Sequence, residues 1–181
     1  MSLLFVTACS GSGWRLKGSQ LSFPFQRILI VDLNQDVRIH RTEPDQMRFD
    51  QSTISRSLAS RLRVQLSERH KLTLVEKVTD AQLVLKINSL DHRKTVLSFS
   101  SGGQPRELEI RAKLAYQLEG AGGRLITAPT TIELTRTMTV LETAVLATAN
   151  EESAQIEALE SELLQRIVRQ LSALRDAAQE N

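Results

Sequence analysis

Two periodicities of apolar residues alternate along the chain. Ile28, Leu29, Ile30 and Val31 form a short continuous apolar run within Arg27 to Leu33, which predicts a buried strand. Asn34 to Met47 is polar, contains Pro44 and predicts a connecting loop. From Asp50 or Ser52 as N-cap candidates, Ile54, Leu58, Leu62 and Leu66 recur every fourth residue among Arg56, Arg61, Arg63 and Glu68. That spacing predicts an amphipathic helix of about five turns. Leu72, Leu74 and Val75 suggest a short strand, and Gln82 to Leu90 a further one, with Leu83, Leu85 and Ile87 alternating against Lys86 and Asn88.

The clearest alternation follows. Leu108, Ile110, Ala112, Leu114, Tyr116 and Leu118 share one face of a predicted strand, while Glu107, Glu109, Arg111, Lys113 and Gln117 share the other. Gly120-Ala121-Gly122-Gly123 predicts a hairpin turn, because glycine accepts the positive φ that tight turns require. The returning strand is expected from Arg124 to about Val140, interrupted at Pro129 and rich in Thr130, Thr131, Thr135, Thr137 and Thr139. Asn150, Glu151 and Glu152 read as the start of a long helix. Its stripe is Ile156, Leu159, Leu163, Leu164, Ile167, Leu171 and Leu174, and its tail frays after Arg175. The expected fold is α+β: a four- to five-stranded, mostly antiparallel sheet with two helices packed on one face, in the order strand, helix, strands, helix.

Length and charge narrow the partners. A chain of 181 residues supports one domain with a hydrophobic core. Lys and Arg number 23 against 21 Asp and Glu, and aromatic residues make up 4%, so neither a basic field nor a set of stacking platforms points to nucleic acid. No run of about 18 apolar residues predicts a membrane-spanning helix. The single cysteine, Cys9, allows no intramolecular disulfide and no multi-cysteine zinc site.

The surroundings of Cys9 carry more than its number. Leu3, Leu4, Phe5 and Val6 are apolar, Thr7 and Ala8 are small, and Gly11, Ser12 and Gly13 follow as a flexible tether. Val6-Thr7-Ala8-Cys9 resembles the bacterial lipobox, in which the cysteine sulfur carries a diacylglycerol and the new N-terminus an N-acyl chain. The competing reading makes residues 3–8 a first strand and Cys9 a core thiol; the tether favours the lipid. Residues 1–8 are then the remnant of a truncated signal peptide, since no basic n-region precedes the apolar stretch. Residues 9–20 form the lipidated tether, 21–176 the domain and 177–181 a frayed tail. Ser10 rather than Asp after the cysteine resembles the sorting signal for the outer membrane.

Candidate catalytic chemistry is sparse. His40, His70 and His92 show no metal-binding spacing, and no nucleophile-elbow or phosphate-loop motif occurs. Ser100-Ser101-Gly102-Gly103 reads as a hairpin tip, and Glu107 and Glu109 as solvated carboxylates. A binding module is expected, with no enzyme activity, no metal and no cofactor beyond the acyl chains on Cys9.

Taken in order, these segments resemble the LptE family of lipopolysaccharide-assembly lipoproteins over nearly the whole mature chain. The carriers are Cys9 followed by Gly13-Trp14-Arg15-Leu16-Lys17, with two extra residues after the cysteine; the Ile54-Ser55-Arg56-Ser57-Leu58 helix; the charged strand ending in Tyr116; its hairpin; and the segment from Ala144 to Glu152 leading to Leu164-Gln165-Arg166-Ile167-Val168-Arg169-Gln170-Leu171. The resemblance implies an outer-membrane lipoprotein that forms a heterodimer with an LptD-type β-barrel. In that role the domain faces the periplasm, plugs the barrel lumen and contacts lipopolysaccharide. A compact domain of this length has a radius of gyration of about 16 Å, hence a diameter of roughly 40 Å, which only many-stranded barrels admit. A free-standing lipid-anchored envelope protein with a different partner stays open as the alternative.

Lipopolysaccharide carries phosphates and sugar acids, so arginine forks and lysine ammonium groups are the residues to seek. Arg93, Lys94, Arg106, Arg111 and Lys113 are expected near one another at one end of the sheet, against the alternative of an ordinary solvated face neutralised by Glu107 and Glu109. In the family the basic contacts include the hairpin tip and the segment before the last helix. Here those read Ser100-Ser101-Gly102-Gly103 and Ala147-Thr148-Ala149, and neither holds a base.

Overall fold

The computed structural model describes residues 21–33, 51–140 and 145–174. Elements follow in the order β1 (Arg27–Asp32), α1 (Gln51–Val64) continued by a π-helical turn (Gln65–Arg69), β2 (Thr73–Leu74), β3 (Leu83–Phe99), β4 (Pro105–Gly120), β5 (Leu125–Thr139) and α2 (Val145–Ala173). They build one five-stranded mixed sheet in the order β2-β1-β3-β4-β5. β3, β4 and β5 are antiparallel neighbours, whereas β1 pairs in parallel with both β2 and β3. Parallel pairing of β1 with β2 needs a crossover, and α1 lies within that crossover.

Both helices cover one face. Leu58, Leu62 and Leu66 of α1 and its π turn, and Leu159, Leu163, Leu164, Ile167, Val168 and Leu171 of α2, pack into a single cluster with Ile28, Ile30 and all six predicted inward residues of β4. Of the stripe expected on each helix, Leu58, Leu62, Leu66, Leu159, Leu163, Leu164, Ile167 and Leu171 are buried, Ile156 and Leu174 pack against the cluster half-buried, and the side chain of Ile54 lies outside the described residues. Across the sheet, Leu29, Ala81 and Val84 form a small second cluster behind β1. The remainder of that face, over β3, β4 and β5, is lined by charged and threonine side chains.

Polar cross-links fix the helices on the sheet. Arg63 donates to the Ile30 carbonyl at 2.9 Å. Lys94 of β3 meets Glu152 of α2 at 2.8 and 2.9 Å, and the buried Tyr116 hydroxyl of β4 hydrogen-bonds Gln170. Burial pushes the Tyr116 phenol up to about 12. The π turn closes with the Leu72 amide donating to the Leu66 carbonyl at 3.1 Å, which places Lys71 at φ 58°, a left-handed position more often held by glycine.

Several boundaries differ from the sequence expectation. β3 does not end near Leu90 but runs to Phe99, with a bulge where Ile87 faces Tyr116 and Ser89 faces Ala115. The extra residue reverses the alternation, so Leu83, Leu85 and Ile87 point to the helices before it and Leu90 and His92 do so after it. Pro129 bends β5 without interrupting it. Tyr116 faces Thr130 and Leu118 faces Thr127, so Ala128 and Pro129 together oppose Gln117. β5 is an edge strand, where a residue lacking an N–H is tolerated.

Helix α2 starts no later than Val145, five residues ahead of Asn150, so Asn150, Glu151 and Glu152 lie within it. Asn150 is exposed there, and an asparagine at an exposed helical position costs only about 0.7 kcal/mol relative to alanine. Ser52 is already inside α1, and the other cap candidate, Asp50, lies outside the described residues. The hairpin turn follows expectation, with Gly122 at φ 76° and Gly123 at φ 79°.

Candidate ligand-binding surface

The candidate basic residues are divided between two faces. In the β3–β4 ladder Arg93 stands directly opposite Arg111, and Asp91 opposite Lys113; across β4 and β5, Lys113 stands opposite Glu133 and Arg111 opposite Thr135. These side chains project from the helix-free face, next to Thr131, Thr137 and Thr139 of the edge strand. Lys94, one residue on from Arg93, points to the other face and is held by Glu152 of α2. Arg106 is exposed next to the turn of the β3–β4 hairpin, where its carbonyl accepts from the Val140 amide at 2.9 Å. So Arg93, Arg111 and Lys113 are brought together, Arg106 flanks the hairpin tip, and Lys94 is committed to holding α2. Cys9 lies outside the described residues.

Electrostatics on the open face are balanced in an informative way. Arg111 contacts Glu109 at 2.9 Å and Glu133 at 3.2 Å. The hydrogen bond to Glu109 and the attraction of both carboxylates hold its guanidinium more firmly protonated than usual. Arg93 forms no ion pair among the described residues, although a second guanidinium faces it across the ladder. Like charges directly opposite on neighbouring strands repel, and an anion lying between them would relieve that repulsion. At the other end of the same face Lys86 and Glu119 pair at 2.5 Å, which keeps the Glu119 carboxyl below its ordinary range.

A polar cluster beneath α2 escaped the sequence reading. His92 is fully buried on the helix side of β3, with both ring nitrogens lacking a hydrogen bond and Nε2 3.6 Å from Glu160 Oε1. Glu160 accepts a 2.8 Å hydrogen bond from Arg61 of α1. Burial lowers the His92 pKa, partly opposed by Asp91, and raises that of Glu160, partly opposed by Arg61. The sequence did hold a signal, since Glu160 lies four residues after Ile156 and three before Leu163, on the apolar stripe itself.

No group of three or more His, Cys, Asp or Glu is placed to hold a metal ion among the described residues. No described helix is long and apolar enough to cross a membrane. What the geometry provides is a mixed-charge sheet face suited to binding polar, anionic groups.

Comparison with known proteins places this geometry in a family. Among solved structures, lipoprotein B from Nitrosomonas europaea superposes with a TM-score of 0.69 at 25% identity, covering 91% of this chain and 94% of that one. A minor lipoprotein from Acinetobacter baumannii (TM-score 0.56, 22% identity, 82% of this chain and 93% of that one) has the same fold. So does rare lipoprotein B from Shewanella oneidensis (TM-score 0.57, 16% identity, 81% and 94%). Curated protein sequences give no significant match. The sequence profile described as LptE, Lipopolysaccharide-assembly, matches residues 35–171, well over half of the 181 residues, and the chain belongs to that family.

Proposed function

We propose that the protein is an outer-membrane lipoprotein, anchored by acyl chains on Cys9, that partners and plugs an LptD-type β-barrel and binds lipopolysaccharide during its assembly at the cell surface. The family match over residues 35–171 is the observation that carries this reading. The division of the sheet into two faces supports it. Helices cover one side, while β3, β4 and β5 offer charged groups and threonines on the other, a surface compatible with the polar interior of a barrel. Binding and assembly, rather than catalysis, is the activity such a surface suits.

Co-purification tests the partner. Affinity-tagged protein from detergent-solubilised outer membranes is expected to bring down a large β-barrel protein, and a preparation that brings down none overturns the plug. In the same cells Cys9→Ser is expected to yield a folded domain that fractionates away from membranes unless the barrel retains it. Two acyl chains anchor a protein stably, and without them each methylene forfeits about 0.8 kcal/mol of burial.

For lipopolysaccharide, Arg93 and Arg111 are the residues to change, with Arg106 and Lys113 as flanking charges. Arg93→Glu with Arg111→Glu is expected to weaken binding about tenfold at low salt and less at high salt, by loss of charge-assisted hydrogen bonds and their screening. Unchanged affinity of the folded double variant removes this face as the site. Lys94 is the less suitable target, because reversing it would also break the Glu152 contact.

A further inference from the structure

The open sheet face carries its own anions. Arg111 lies midway along β4, with Arg93 of β3 directly opposite on one side and Thr135 of β5 directly opposite on the other. Two carboxylates reach its guanidinium through different nitrogens. Glu109, two residues back on the same face of β4, accepts from Nη2 at 2.9 Å, and Glu133 of β5 lies 3.2 Å from Nη1. Glu133 also stands opposite Lys113, whose other neighbour across the ladder is Asp91. The bases Arg93, Arg111 and Lys113 are thus interleaved with the acids Asp91, Glu109 and Glu133.

This arrangement sets how strongly the face holds an anion. A phosphate monoester, with a charge of about −1.5 to −2 and three acceptor oxygens, suits two facing guanidinium groups better than a single carboxylate does. It meets Arg111 only where Glu109 or Glu133 gives up its contact. Such contacts open readily, since Arg111 and Glu133 are each 43% exposed and Glu109 is 23% exposed. An exposed ion pair shifts an equilibrium constant by about fivefold at most. Both acids are fixed to the same sheet as Arg111, so their local concentration stays high and they close on it again when the phosphate leaves.

We propose that Glu109 and Glu133 are release residues, built-in competitors for Arg111 that keep a bound phosphate monoester exchangeable, so that a phosphorylated lipid passes over this face without being trapped on it. The inference rests on reading the open face as the lipopolysaccharide site, and it assigns the weakness of the site's grip to these two acids. A site that hands its ligand on has to bind firmly enough to admit it and weakly enough to let it go.

Two arms test this on the purified full-length chain. In the first, glucose 1-phosphate is titrated at low salt while the side-chain Nε–Hε NMR signals of Arg93 and Arg111 are followed. Glu109→Gln and Glu133→Gln are each expected to tighten binding about threefold, and the double variant about tenfold, because each substitution removes one displaceable exposed pair. Glutamine keeps the shape of glutamate, so on a solvated face the fold is expected to persist. Glu107→Gln removes the same charge from the same face roughly 13 Å along the strand from Arg111, and is expected to change affinity by less than about twofold. In the second arm lipopolysaccharide is passed over the immobilised protein, and it is expected to leave the double variant about tenfold more slowly than the unaltered chain. A double variant that binds glucose 1-phosphate no more tightly than the unaltered chain overturns the proposal. So does an equal gain in Glu107→Gln, which would mark a general effect of charge. If the gain appears with glucose 1-phosphate while lipopolysaccharide binds neither protein, the competition by the two acids stands and the lipopolysaccharide reading falls. If lipopolysaccharide binds both and leaves both at the same rate, the release role falls and that reading stands.

Discussion

Truncating Leu163 to alanine is expected to lower the unfolding free energy by about 2–5 kcal/mol. Leu163 is fully buried on α2, in the cluster that joins both helices to the sheet. Removing its branched end forfeits transfer free energy and leaves a cavity between a helix and a sheet that close only partly around it. A shift in the urea midpoint at constant slope is the measurement. Leu125→Ala is the matched control. That leucine is 51% exposed at the start of the edge strand, and its loss is expected to change stability by no more than about 0.5 kcal/mol. Equal destabilisation by the two variants would contradict the assignment of α2 to the sheet.

Acidification is expected to destabilise the domain through His92, and Glu160 is expected to act in the opposite sense. Burial lowers the His92 pKa in the folded state, with Asp91 opposing, so the folded protein keeps the ring neutral where the unfolded chain would protonate it. Below the unfolded value of about 6.5 the unfolded state binds more protons, and stability falls with pH until the lowered folded value is passed. His70, lowered by burial and by Arg69, adds to the same trend. Glu160 is raised by burial, with Arg61 opposing, so the folded state takes up its proton before the unfolded chain does and gains stability as pH falls from the raised folded value to the ordinary carboxylate value. Urea midpoints at about pH 7.5 and about pH 5.5 separate the contributions. His92→Leu is expected to reduce the loss between the two values, and Glu160→Gln to enlarge it. A pH dependence unaltered by His92→Leu would show that the buried ring does not govern it.

The open-face charges teach a different lesson about what a sequence discloses. β4 was legible residue by residue, because Leu108 to Leu118 alternate without a break and their face is buried along its whole length. Arg111 and Lys113 were accordingly placed on the wet side correctly. Arg93 and Lys94 were not separable by pattern, since consecutive strand residues occupy opposite faces and the bulge before Ser89 decides which is which. One extra residue sends Lys94 to Glu152 and leaves Arg93 facing Arg111.

By itself the sequence determined the parts of this protein whose physics is local: the helix stripes, the alternation along β4, the glycines that enter left-handed φ at the hairpin, and the ordered segments that resemble a lipopolysaccharide-assembly lipoprotein. Only the tertiary structure decided the parallel seating of β1 between β2 and β3, the length and phase of β3, and the early start of α2. It also decided the meeting of His92 with Glu160 and Arg61. Those outcomes depend on pairings between residues far apart in the chain, where ladder register, core packing and desolvation act together, and no periodicity within one segment records them.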